Sequence, residues 1–89
     1  MIRVSDRPGR LTLRGHAGWG NRGADIVCAA VSILVETLAR SLPEGETQLG
    51  DGFAEFRFAP GNPAAAFVRR GLSLLAESYP ENVQVSTDG

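Results

Sequence analysis

The sequence predicts a small α+β domain: a two-layer sandwich, with two helices packed on an antiparallel or mixed sheet in the order ββαββαβ. Three observations carry this prediction. Two stretches alternate apolar and polar residues on either side of turn chemistry, first around Ser5–Gly9 and again around Asp51-Gly52. Two apolar runs of helical length each end at a proline, Pro43 and Pro80. A final alternating stretch, "NVQVS", closes the order as a last strand. Eighty-nine residues make one domain, 1–89, with a modest core and no room for a second.

The elements follow in order. Met1 to Val4 alternates and reads as a short strand; "SDRPG" turns the chain; "RLTLRG" alternates again with Leu11 and Leu13 on one face. "HAGWGNRGA" carries Gly18, Gly20 and Gly23 and reads as a mobile loop. Asp25 is placed as the N-cap of the run "IVCAAVSILVETLARSL". Val27, Val31, Leu34, Leu38 and Leu42 follow helical spacing. Ile26, Ala30 and Ile33 widen that face, which predicts a central helix covered on most sides. "ETQLG" and "FAEFRFA" flank Asp51-Gly52 as a hairpin. Either Phe56 with Phe58 or Phe53 with Glu55 and Arg57 faces inward, and the pattern does not decide between them. Asn62 with Pro63 starts the second helix as N-cap and first helical residue. Phe67, Leu74, Leu75 and Ser78 are read as its inner side, and Gly71 as a point of close helix packing.

Composition narrows the function classes. Hydrophobic residues make up 43% and charged residues 21%, as in soluble globular proteins. Net charge is −1, the nine basic residues are scattered along the chain, and Arg69-Arg70 is the only basic pair. That pattern predicts no nucleic-acid partner. No apolar run approaches a membrane span, and "MIRVSDRPGR" has no apolar signal core, so the expectation is a cytoplasmic protein with no membrane partner. One cysteine cannot form an internal disulfide, and one cysteine with one histidine cannot close a zinc site. No metal or cofactor is expected.

The chain's only histidine and only cysteine, His16 and Cys28, stand twelve residues apart across the glycine-rich loop. With Asp25 as cap, Cys28 is the third helical residue, among free N–H groups at the positive end of the helix dipole. Both features favour a thiolate, while the Asp25 carboxylate opposes it. A neutral imidazole beside the helix start can take the thiol proton, and the free N–H groups can hold an oxyanion. The residues alone leave a second reading open, a surface histidine and a small buried helix cysteine.

"GHA" followed by "GADIVCAAVS", over Gly15 to Ser32, resembles the signature of the Prp family of bacterial ribosomal-processing cysteine proteases, with the same histidine–cysteine spacing. Length, element order, "DGFAEF" and "YPENVQVS" extend the resemblance over essentially the whole chain. It implies a homodimeric α/β protein with Cys28 as nucleophile and His16 as general base. The implied substrate is the N-terminal extension of large-subunit ribosomal protein twenty-seven, removed before ribosome assembly. Cleavage after an aromatic pair implies an apolar groove, and the loop is expected to order over the substrate. Gly15, Trp19, Gly20, Gly23, Asp25 and Ser32 are the expected supporting residues. Trp19 packs the loop down, plugs the empty site or stacks on a substrate aromatic; Asp25 either orients the first turn or acts directly in catalysis; and Ser32, one turn beyond Cys28 on the same side, bonds either near the site or back to the Cys28 carbonyl. No third residue to orient His16 is evident. Two rivals remain: a non-catalytic binding module for a ribosomal-protein tail, and a thiol-regulatory protein that would need an intermolecular disulfide.

Overall fold

The structure, a computed structural model, describes residues 1–16 and 24–87. Seven elements appear: β1 (Ile2–Arg7), β2 (Arg10–Gly15), α1 (Ala24–Ser41), β3 (Thr47–Gly50), β4 (Phe53–Arg57), α2 (Pro63–Ser78) and β5 (Val83–Thr87). The strands form one mixed sheet in the order β3-β4-β2-β1-β5. Among the described residues only the β1–β5 pairing is parallel. This is the predicted ββαββαβ sandwich.

Strand alternation divides the sheet into two unlike faces. Val4 stands opposite Leu13 and Val85, Leu13 opposite Ala54, and Leu11 opposite Phe56. These residues form the inner face, and both helices cover it. Phe56 is fully buried, so the hairpin's open choice resolves in favour of Ala54 and Phe56, with Phe58 half-buried. On α1, Val27, Val31, Leu38 and Leu42 are buried as their spacing predicts. Asn62 caps α2 as predicted, its Oδ1 accepting from the Ala65 N–H at 3.0 Å. A Cβ on Gly71 would meet the Leu34 methyl carbons at 3.1 Å, so the close helix contact at that glycine is also present.

Three expectations need correction. The first turn is Pro8-Gly9 alone, because Ser5 to Arg7 continue β1 and pair with β2. Helix α1 is not covered on most sides: Ile26 and Ile33 are 59% and 63% exposed. The inner side of α2 is Ala65, Val68 and Leu72 with Leu75 partly buried, while Phe67, Leu74 and Ser78 face outward. Residue size misled that assignment; positions 65, 68, 72 and 75 form the continuous i, i+3, i+7 stripe that a helix presents to a sheet. Separately, the pleat gathers five of the nine arginines that are scattered along the chain. Arg3, Arg7, Arg10, Arg14 and Arg57 all occupy the outer sheet face.

Candidate active site

β2 ends at Gly15, and this end lies beside the β3–β4 turn because β2 and β4 pair in register, Arg14 opposite Phe53. The Gly15 N–H donates to the Gly52 carbonyl at 2.9 Å. Gly15 itself has φ +101°, and a Cβ there would collide with the Met1 carbonyl oxygen. The Met1 ammonium donates to the His16 carbonyl. His16 therefore leaves the sheet at a point fixed by backbone contacts from three segments of the chain.

Its imidazole rests on Gly52. A Cβ on that residue would stand 2.6 Å from His16 Nε2, and Gly52 has φ +64°, a region that L side chains avoid. The glycine thus serves the turn and also clears the space the ring occupies. Asp51 in the same turn places Oδ1 3.9 Å from Nε2, but its side chain is 99% exposed, so water screens the pair. Neither residue is identified from sequence, where Asp51-Gly52 reads only as a hairpin turn. No local signal could have found them, since the contact with His16 depends on long-range strand register.

Helix α1 begins at Ala24, so Asp25 lies inside its first turn and is not the N-cap. This correction moves Cys28 from the third helical residue to the fifth. In an α-helix its own N–H then points to the Ala24 carbonyl. The N–H groups without an intrahelical partner include those of Asp25 and Ile26, one turn earlier. A helical side chain tilts toward the N-terminus, which carries the Cys28 thiol back over that turn. Cys28 is exposed, contrary to the alternative of a small buried hydrophobe. Its neighbours Val27 and Val31 are in the core and anchor this end of the helix.

His16, Cys28 and Ser32 line one cleft of about 180 Å³, with Gly15 and Gly52 at its rim. Ile2, Leu13, Val31, Val35 and Ala54 supply apolar walls. Gly18, Trp19, Gly20 and Gly23, with the mobility expected of their loop, lie outside the described residues. Among the described residues no group of three His, Cys, Asp or Glu side chains is placed to hold a metal ion.

The cleft combines a thiol on a helix's second turn, an imidazole from the end of the facing strand and apolar walls, one turn from the free N–H groups that begin α1. That is a set suited to acyl transfer through a thioester. Comparison with known proteins agrees. The model of one family, described as cysteine protease Prp, matches residues 1–84. SMU.848 from Streptococcus mutans is similar in structure, with a TM-score of 0.80, 27% identity, and coverage of 98% of this chain and 96% of that one. An essential ribosomal processing protease Prp from S. aureus, in complex with a covalently linked product peptide, superposes with a TM-score of 0.78 at 24% identity over 99% of this chain and 100% of that one. The same S. aureus protease with a substrate peptide gives a TM-score of 0.79 at 22% identity over 99% of this chain and 100% of that one. No protein of curated function matches the chain.

Proposed function

Because the chain belongs to the Prp family of cysteine proteases, we propose that it cuts the N-terminal extension from large-subunit ribosomal protein twenty-seven, with Cys28 as nucleophile and His16 as general base. One observation carries the assignment of the pair: the chain's single histidine and single cysteine, from different elements, line the same cleft. The S. aureus relative, a ribosomal processing protease bound to peptides, supports the class of substrate.

In this mechanism the His16 imidazole takes the proton from Cys28 Sγ, and the thiolate attacks the scissile carbonyl carbon. The first-turn N–H groups of α1 accommodate the oxyanion that forms. The tetrahedral adduct collapses with loss of the amine, which leaves with the proton from the imidazolium. Water, activated by His16, then attacks the thioester. The new carboxylate departs and the thiol is restored. The apolar walls receive the side chain beside the scissile bond, in keeping with cleavage after an aromatic pair. Asp25 and Ser32 support the site, Asp25 from the first turn and Ser32 from the rim one turn beyond Cys28.

The protein is proposed to act in the cytoplasm as a homodimer. Ile26 and Ile33 on α1, with Phe67 and Leu74 on the α2 it packs against, leave apolar side chains 56–75% exposed. Such a surface suits association with a second copy. The test of the function is mass spectrometry of the extended N-terminal peptide after incubation with the protein. A single cut is expected, reduced at least about 10³-fold in Cys28→Ala and His16→Ala. An intact peptide, with Cys28 alkylating no faster than a free thiol, would favour a binding module instead.

A further inference from the structure

The outer face of the sheet carries a concentration of positive charge that the chain's net charge conceals. All nine basic residues are arginines, and five of them, Arg3, Arg7, Arg10, Arg14 and Arg57, project from this face. Among the described residues, the carboxylates on this face are Glu55 within the strands and Glu46 at the corner before β3, and Arg7 also has a partner. Glu55 faces both Arg10 at 3.7 Å and Arg57 at 3.4 Å. Glu55 bridges Arg10 and Arg57, whereas Arg3 stands directly across from Arg14 with no carboxylate between them in either strand. Direct opposition of like charges in a sheet is destabilising. A bound polyanion would relieve it.

We infer that this face binds single-stranded RNA. Guanidinium groups suit phosphates because they donate in a planar fork. Arg3 and Arg7 lie on one strand, Arg10 and Arg14 on the next, each pair separated by about 13 Å along its strand. The charge therefore runs along the sheet and is not a point. At one end the Arg14 guanidinium lies over the Phe53 ring, 4.8 Å from its centroid, giving a cationic plane backed by an aromatic on which a base can stack. The other candidates fit less well. A membrane surface would need several exposed apolar anchors beside the arginines, whereas Phe53 is half-buried beneath Arg14 and the exposed Ile26, Ile33, Phe67 and Leu74 lie on the helix layer. A second copy docked by a two-fold axis would set arginines against arginines. The inference does not depend on the peptidase reading, and Cys28→Ala should bind RNA as the wild type does.

The test is fluorescence anisotropy with a labelled 20-nucleotide single-stranded RNA, titrated from 50 to 200 mM salt. With three to five phosphates neutralised, log K should fall against log salt with a slope of about −2 to −3.5. The double variant Arg3→Gln/Arg57→Gln should weaken binding about 5–20-fold and reduce the slope by about 1.4. Arg40→Gln/Arg70→Gln removes the same charge from the helices and should leave affinity within twofold; circular dichroism confirms that both variants fold. Three results would overturn the inference: no binding at 50 mM salt, equal loss in both double variants, or equal affinity for polyglutamate or for anionic vesicles.

Discussion

The two walls of the cleft hold their reactive side chains by different means. On the strand side, His16 is exposed, and its position comes from backbone: the Gly15–Gly52 hydrogen bond, the Met1 contact and the absence of a side chain at Gly52. On the helix side, Cys28 is also exposed, but its position comes from packing, because Val27 and Val31 beside it are core residues. One wall can be displaced while the fold survives. The other moves only when the core yields. The same chemistry should therefore be lost by two separable routes.

Leu38→Ala should give the largest effect on the helix wall. Leu38 is fully buried on α1, and truncation should cost about 2–5 kcal/mol in urea unfolding, with activity per folded molecule nearly retained. Gly52→Ala should do the reverse. A Cβ 2.6 Å from Nε2 forces the imidazole aside, and kcat/KM should fall about 100-fold while stability drops only about 1–2 kcal/mol. Equal stability losses in the two variants would erase the contrast. Asn62→Ala removes the α2 cap far from the cleft and should cost about 1 kcal/mol with unchanged turnover. Arg40→Ala breaks an exposed i, i+4 pair with Glu36 and should change stability by no more than about 0.5 kcal/mol. A larger effect there would mean that α1 is sensitive to surface charge as well as to packing.

These contrasts follow what the sequence could and could not disclose. Element order was legible because turns and caps act locally: Asp51-Gly52, Asn62-Pro63 and the two closing prolines each act within a few residues. His16 and Cys28 stood out as single residues of reactive type. The role of Gly52 was hidden because it reaches His16 only through the β2–β4 register, across 36 positions. Helix orientation was only partly legible. Phe67 is larger than Val68, yet Val68 lies on the stripe that meets the sheet and Phe67 is 75% exposed. The start of α1 was misplaced because Asp25 suits both the cap and the first turn, and an acidic side chain is stabilised at either place. The gathering of arginines on one sheet face is not legible for a different reason. Net charge averages the whole chain, whereas the pleat sorts alternate residues onto opposite faces.

The parallel pairing of β1 with β5 also orders events in time. Its first register pair, Ile2 with Val83, joins positions 81 apart, whereas the β1–β2 and β3–β4 hairpins close through two-residue turns. Hairpins of that kind form in about 1–10 μs, while long-range pairing must first overcome the entropy of closing a long loop. The open edge of β1 then persists until β5 docks, and an unpaired edge in a folding intermediate recruits other chains. Refolding yield should consequently depend on protein concentration more than the native protein's solubility suggests.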